Sequence, residues 1–213
     1  MGKQRARNPK EIAQRKEAIL QETERIFLEQ RYEDITLVSI AKDLQISRPS
    51  LYNYFTSKEE IFLALLKGEY LLCQASLKQA AQGQLTTEAF ISLLVTNIFD
   101  RPLFVKLLSL HAAAMEEKLG YERMYQFKTD TQDFFHTLER CIQEQFPKTS
   151  EAACTQFMIQ FHLLMTTAYQ YSSIPADQAK VMQELNIFGT TPLLDPREFY
   201  KQTLLQLCQS LEA

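Results

Sequence analysis

One short segment, residues 36–58 (TLVSIAKDLQISRPSLYNYFTSK), constrains the fold of this chain more than any other. Its pattern predicts a short helix over residues 36–44 and a second over residues 48–54. Ser47 is placed to cap the second helix, and Pro49 falls in its first turn, where a missing N–H costs little. Two short helices joined by a tight turn make a helix-turn-helix.

The second of these helices has an apolar side and a polar side. Leu51 and Phe55 are four residues apart, so both can point back onto the first helix. The side chains left outside are cationic, aromatic or hydrogen-bonding: Arg48, Ser50, Tyr52, Asn53 and Tyr54. Such groups on one short helix suit the major groove of DNA, so the pattern predicts a DNA-reading element.

This region resembles the N-terminal signature of the TetR family of transcriptional repressors. The resemblance covers residues 13–65 and is specific, while the rest of the chain agrees only in length and helical character. The matching positions are Thr36, Ile40, Ala41, Ile46, Ser47, Leu51, Tyr52, Tyr54, Phe55, Ser57, Lys58 and Glu59. Gln45 and Pro49 depart from the family pattern, which commonly has Gly at both places. A left-handed Gln45 would cost about 1 kcal/mol, or else the turn differs slightly.

The residue types and the resemblance together predict which groups contact DNA. The predicted DNA-binding residues are Thr36, Ser39, Arg48, Pro49, Ser50, Tyr52, Asn53, Tyr54 and Lys58. Arg48, Ser50 and Asn53 are the candidates for base edges, since Arg suits guanine and Asn suits adenine. Thr36 and Lys58 resemble phosphate contacts of the family, and the two tyrosines resemble contacts to phosphate or thymine methyl groups. Either tyrosine could instead be a partly buried core residue.

Charge is distributed unevenly along the 213 residues, although the net charge is only −3. Residues 1–58 carry 11 Lys or Arg against 8 Asp or Glu, while the remainder carries 12 against 18. The basic tail within residues 1–10 could reach a minor groove or neighbouring phosphates, or it could simply aid solubility. A basic head on an acidic body fits a protein that lays one end on DNA.

Several other classes of protein find no support in the sequence. No apolar run approaches the roughly 18 residues of a membrane span, and no signal peptide is apparent. The four cysteines are widely spaced, which favours unpaired thiols in a reducing cytoplasm. The three histidines lack the spacing of a metal site, and no catalytic motif occurs. We therefore expect no membrane association, no cofactor and no enzymatic activity.

Helical periodicity runs through the whole chain, so an all-α fold is predicted. Asn8, Ser57 and Asp195 each precede a Glu by three residues, as in a capping box. Helices are predicted over residues 8–30, 57–82, 86–100, 102–119, 121–146, 150–172, 176–186 and 196–211, with a loop over 188–194. A DNA-binding head of residues 1–58 would be joined by a long helix to a regulatory and dimerisation body of residues 59–213.

The body is rich in aromatic and Met side chains. The candidates for a ligand-binding cavity are Phe104, Leu108, His111, Met115, Tyr125, Phe161, His162, Met165 and Tyr169. Helices of this composition can surround an apolar or aromatic ligand, oriented by a few polar groups. The same spacing is expected of an ordinary helical core, which is the simpler interpretation of any single residue, whereas the family resemblance favours a cavity without choosing its residues.

Apolar side chains nearly encircle the last helix, which suggests burial against its own body and against a second copy. The resemblance implies a homodimer through the C-terminal helices, which binds a palindromic operator in double-stranded DNA and is released by a small-molecule effector. Two alternatives remain. The body could bind a protein partner, or the chain could be a helical enzyme or carrier that retains the helix-turn-helix as a structural element only.

Overall fold

A computed structural model describes residues 8–80, 83–110, 120–187 and 195–212. The elements in these ranges are helices, which confirms the predicted all-α fold. In chain order they are α1 (Pro9–Glu29), a short 3-10 helix (Tyr32–Asp34), α2 (Leu37–Asp43), α3 (Arg48–Tyr52), α4 (Lys58–Ala80), α5 (Thr87–Phe99), α6 (Pro102–Leu108), α7 (Tyr121–Gln145), α8 (Glu151–Ser172), α9 (Ala176–Glu184) and α10 (Pro196–Glu212).

Most predicted helix boundaries agree with the structure to within one or two residues. The helix predicted over residues 102–119 is the exception, because α6 ends at Leu108 and residues 111–119 lie outside the described part of the chain. The loop predicted over residues 188–194 also lies outside it. Among the described helices, none is long and apolar enough to cross a membrane.

The three predicted capping residues accept the hydrogen bonds expected of them. Asn8 accepts from the backbone N–H of Glu11 at 2.9 Å, and Ser57 accepts from that of Glu60 at 3.2 Å. Asp195 accepts from the N–H of Arg197 at 2.9 Å. Each side chain satisfies a donor that the first turn of a helix cannot pair internally, which explains why α1, α4 and α10 begin where they do.

The described residues form two compact units, and each unit takes part of α4 and part of α7. The first contains residues 8–69 and 120–130, and the second contains residues 70–80, 83–110, 131–187 and 195–212. The predicted boundary after residue 58 remains a prediction about domains.

Aromatic packing between α1 and the start of α4 forms the core of the first unit. Phe27 and Phe62 are fully buried, and their ring centroids lie 4.9 Å apart in an edge-to-face arrangement. Tyr32 packs on the same Phe62 ring at 4.8 Å. Leu51 of α3 and Ile40 of α2 are also fully buried. The two short helices are therefore held by a real hydrophobic core, which fixes the side of α3 that faces solvent.

The second unit has a larger core built on α4 to α8 and α10. Tyr70 of α4 packs against Phe104 of α6 and Phe134 of α7, with a centroid separation of 5.1 Å in each case. Tyr200 of α10 is buried, and its hydroxyl shares a 2.8 Å hydrogen bond with the hydroxyl of Thr167 in α8. The aromatic side chains of the body therefore pack tightly on one another.

Candidate functional site

The first helix of the motif is closed at both ends by local hydrogen bonds. At its start, the hydroxyl of Thr36 accepts from the Ser39 N–H at 3.1 Å, and the hydroxyl of Ser39 accepts from the Thr36 N–H at 3.0 Å. At its end, Gln45 adopts a φ of +53°, and the N–H of Ile46 bonds to the carbonyl of Ala41 at 3.0 Å. Of the two alternatives, a left-handed Gln45 or a different turn, the structure has the first, and a non-glycine residue in this conformation costs about 1 kcal/mol.

The second helix of the motif, α3, exposes the predicted polar side. The Ser47 hydroxyl accepts from the N–H of Ser50 at 3.3 Å and caps the helix, while Leu51 is fully buried. Arg48, Pro49, Tyr52 and Asn53 are exposed, and Ser50 and Tyr54 are half-buried. The arrangement leaves cationic and hydrogen-bonding groups free of the core, as a helix that reads base edges requires.

Two of the candidates for base contacts already have partners on α3. The guanidinium of Arg48 donates to the Tyr52 hydroxyl at 2.9 Å and lies 5.3 Å from the centroid of the Tyr52 ring. The amide of Asn53 donates to the carbonyls of Pro49 and Ser50 at 3.1 and 3.4 Å. Arg48 is thus pre-oriented by Tyr52. Asn53 would have to give up its hydrogen bonds to the carbonyls at the end of α3 before its amide could donate to a base.

Lys58 is engaged within the protein. Its ammonium donates to the carbonyls of Tyr32 and Ile35 at 2.8 and 2.9 Å and lies 4.0 Å from the centroid of the Tyr32 ring. Burial and the nearby Glu59 carboxylate raise the pKa of Tyr32. Lys58 therefore ties the 3-10 turn to the start of α4. Its predicted phosphate contact remains a prediction.

A cluster around Arg123 lies at the turn between α3 and α4 and was not found from the sequence. Arg123 contacts a carboxylate oxygen of Glu60 at 2.6 Å and donates to the Thr56 hydroxyl at 3.1 Å. The other Glu60 oxygen accepts from the N–H of Thr56 at 2.5 Å. Because Arg123 is far from the motif in sequence and matches no motif of its own, only the folded chain brings it here.

A second ion pair between α4 and α7 also escaped the sequence analysis. Lys67 donates to a carboxylate oxygen of Asp130 at 2.7 Å, and the amide of Gln126 donates to the other oxygen at 2.8 Å. The hydrogen bond from Lys67 is the largest of the effects that lower the pKa of Asp130. Both ion pairs belong to the first unit, which therefore includes the beginning of α7.

The predicted ligand-binding residues lie in three different environments. Phe104, Leu108, Phe161 and Met165 are buried in the core of the second unit, where the Phe161 ring stacks on Phe157 at 6.4 Å. Tyr125 is 61% exposed on α7 in the first unit and stacks on Tyr121. His111 and Met115 lie outside the described residues. The cavity therefore remains a prediction.

The last two predicted ligand-binding residues are half-buried on α8. The His162 ring packs on Phe135 at 5.8 Å, and the ammonium of Lys106 lies 5.8 Å from the Tyr169 ring. Burial lowers the pKa of Lys106. Lys106 was not among the residues predicted from the sequence, although a single cation inside the apolar helix PLFVKLL was a usable signal.

The outer side of α8 carries a groove shared with α7. It has a volume of about 350 Å³ and is lined by Phe135, Glu139, Thr155, Met158, Ile159, His162 and Leu163. Ile159 and Leu163 are 55% and 60% exposed, although both are large and apolar. Within the described residues, no group of three or more His, Cys, Asp or Glu side chains could hold a metal ion.

Comparison with known families matches both parts of the chain. Residues 19–65 match the family described as "Bacterial regulatory proteins, tetR family", and residues 68–209 match "Tetracyclin repressor-like, C-terminal domain". Among curated proteins, no relative matches the chain.

Two solved structures share the fold at low sequence identity. A transcriptional regulator of the TetR/AcrR family from Thermobifida fusca is 16% identical with a TM-score of 0.59, over 90% of this chain and 97% of its own. A structure from Mesorhizobium loti, described as a TetR-family transcriptional regulator, is 13% identical with a TM-score of 0.53, over 94% and 96%.

Proposed function

The chain belongs to the TetR family of transcriptional regulators, and from that premise we propose that it is a ligand-responsive repressor. It would bind a palindromic operator as a homodimer, in the cytoplasm, and leave the operator when a small apolar or aromatic molecule binds the body. The observation that carries the proposal is the capped, core-anchored helix α3 with Arg48 exposed on its outer side.

Specific reading is assigned first to Arg48. Its guanidinium has the planar donor pair that suits O6 and N7 of guanine, and the bond to Tyr52 limits the rotamers that it must give up on binding. Ser50 lies on the same helix and can add a contact to either a base or a phosphate. Thr36 and Ser39 close the start of α2, and we assign Thr36 to a phosphate contact and Ser39 to a further DNA contact beside it.

The experiment that tests this reading is selection of bound duplexes from a random pool at one fixed, moderate salt concentration. The wild type should recover a palindrome, and Arg48→Ala should relax preference at one base position at a cost of about 1–3 kcal/mol. Arg31→Ala is the matched control, because Arg31 is an exposed arginine of the same unit that lies off the motif and pairs with Asp34. A wild type that recovers no preferred sequence would refute the proposal.

A second copy is proposed to cover the outer side of α8 together with α10. Ile159 and Leu163 are exposed there, and α10 adds the half-buried Phe199, Leu205 and Leu207. Ile159 and Leu163 are four residues apart and therefore lie on the same side of α8, and exposed apolar side chains on one side of a helix suit an isologous interface. Light scattering should show a dimer for the wild type and a monomer for Leu163→Glu. Val181→Glu, on α9, is the control and should leave the mass unchanged.

The proposed effector binds among the aromatic and Met side chains of the second unit. The Met165 side chain can be rearranged at low cost, because a thioether side chain adapts to irregular shapes. A panel of apolar and aromatic molecules can be screened by the rise in unfolding temperature, and each hit tested for operator affinity. A molecule that binds the body and leaves operator affinity unchanged would show that the proposed coupling is absent.

A protein partner of the body is the second candidate, and α9 is the observation that favours it. Val181, Leu185 and Ile187 are 51%, 66% and 55% exposed around this helix. Apolar groups left in solvent suit a binding surface. Substituting all three by serine should then abolish regulation while operator affinity stays at the wild-type value. If regulation of operator binding survived the triple serine substitution, a protein partner at α9 would be excluded.

A further inference from the structure

The turn that connects the recognition helix α3 to α4 is bound by a residue of α7. Asn53 ends α3, and Thr56 follows three residues later. Thr56 is held twice, because its N–H donates to Glu60 at 2.5 Å and its hydroxyl accepts from Arg123 at 3.1 Å. Arg123 also contacts Glu60 at 2.6 Å. One guanidinium therefore joins Thr56, in the turn that follows α3, to Glu60, in the first turn of α4.

The contact belongs to a series with a fixed register. Lys67 and Asp130, which pair at 2.7 Å, each lie seven residues beyond Glu60 and Arg123, so both ion pairs join positions 63 apart in sequence. Spacing by seven returns to the same side of a helix, so α4 and α7 run in the same direction with matched positions. Arg123 is the first member of an ordered series.

We propose that Arg123 is a positioning residue for DNA recognition. It holds the turn of Thr56 and Glu60, and through that turn it fixes the orientation of α3 relative to the start of α4. Its own charge is taken up by Glu60, so it acts without contacting DNA. The inference depends on the proposed function only in that α3 is the helix that reads DNA.

The direction in which Glu60→Gln changes DNA affinity distinguishes a positioning role from a purely electrostatic one. If Arg123 and Glu60 act only through their charges near DNA, Arg123→Gln weakens binding, whereas Glu60→Gln strengthens it because a negative charge is removed. If the pair positions α3, each substitution weakens binding. The double variant should then be no weaker than either single variant, since the second change has nothing further to disrupt.

The test uses the full-length protein and the highest-affinity duplex that the wild type selects from a random pool. Arg123→Gln and Glu60→Gln are each expected to weaken binding about two- to fivefold, the range of a partly exposed ion pair, with the salt dependence unchanged. Arg140→Gln is the control, because Arg140 is an exposed arginine on the same helix that pairs with Glu144 in the second unit. It should bind like the wild type.

Hydrogen–deuterium exchange in the DNA-free protein supplies a readout that needs no operator. The amide of Thr56 should exchange faster in Arg123→Gln and Glu60→Gln and at the wild-type rate in Arg140→Gln. Unchanged exchange, tighter binding by Glu60→Gln, or equal affinities for Arg123→Gln and Arg140→Gln would each overturn the inference. If the wild type selects no duplex, the proposed function fails instead, and exchange alone decides whether Arg123 holds the turn.

Discussion

The two compact units differ in where their candidate functional side chains lie. In the first unit, Arg48, Tyr52 and Asn53 are exposed on a helix that is anchored by one buried leucine. In the second unit, Phe104, Phe161 and Met165 are almost completely buried. In the first unit, the candidate recognition side chains are not the ones that form the core. In the second unit, the candidate ligand-binding side chains are themselves core residues.

This difference explains why the head could be assigned from sequence and the body could not. An exposed arginine or asparagine is ordinary on a protein surface, so the head was assigned from the order of residue types along the whole motif and not from any single side chain. A buried phenylalanine is expected in every helical core, so its presence points to none. The comparison predicts that substitutions in the body change stability, while those on the outer side of α3 change DNA binding alone.

The largest expected effect is at Phe104 in the body. Phe104→Ala should lower the free energy of unfolding by about 3–5 kcal/mol, because the Tyr70 ring loses a packed neighbour and a cavity remains. Denaturation in urea measures the change. Tyr125→Ala is the control, since Tyr125 is 61% exposed and its removal should cost less than about 0.5 kcal/mol. A small loss at Phe104 would mean that the ring already borders an open cavity.

Lys58 is expected to be an exception within the first unit, because this predicted DNA-binding residue should also contribute to stability. Lys58→Ala should lower the free energy of unfolding by about 1–3 kcal/mol, because the carbonyls of Tyr32 and Ile35 each lose a charged donor. Urea denaturation tests this, with Lys42→Ala as the exposed control. The salt dependence of DNA binding measures the phosphate role separately, since one lost phosphate contact lowers the slope by about 0.9. A variant as stable as the wild type would make the phosphate role the main one.

Gln45 should show that the head contains strain that can be removed. Gln45→Gly is expected to raise the free energy of unfolding by about 1 kcal/mol, because glycine adopts a φ of +53° without steric cost. The midpoint of urea denaturation should rise while DNA preference stays the same. Gly68→Ala is a useful contrast, since Gly68 is in α4 with no atom near an added Cβ, and alanine should stabilise it through helix propensity. A midpoint that falls in Gln45→Gly would show that the glutamine side chain contributes contacts.

The smallest expected effect is the pH dependence at Asp130. Its pKa in the folded protein lies below the ordinary value of 3.8, with the Lys67 hydrogen bond as the first cause. The pair therefore stabilises the fold above about pH 4, and this contribution disappears as the pH falls through the lowered pKa. Asp130→Asn should cost about 0.2–1 kcal/mol at pH 7 and nothing in strong acid. Equal losses at both pH values would assign the effect to packing.

The helices were predictable because their signals are local. Asn8, Ser47, Ser57 and Asp195 act as caps through hydrogen bonds to residues two or three positions away. The left-handed conformation of Gln45 was one of two alternatives, because glycine is usual at this position of the family and the sequence alone does not choose between strain and a different turn. The local hydrophobic period assigned Leu51 to the core for the same reason.

The contacts of Lys58 and Arg123 could not be predicted, because they depend on the meeting of distant segments. Lys58 resembles a phosphate ligand in the motif, yet its ammonium is held by carbonyls of the 3-10 turn. Arg123 reaches the turn at Thr56 only when α7 lies beside α4. No periodicity or motif in a single segment specifies either partner.

The sequence by itself determined the helical fold, the family, the exposed side of α3 and every helix end except that of α6, because each depends on hydrogen bonds and hydrophobic spacing within one segment or on a motif whose residues occur in a fixed order. Only the tertiary structure decided which charged groups are engaged within the protein and which apolar groups remain exposed, such as Lys58 and Leu163. The physical reason is that burial and ion pairing are properties of surfaces brought together by folding, and the same side chain serves different roles according to what it meets there.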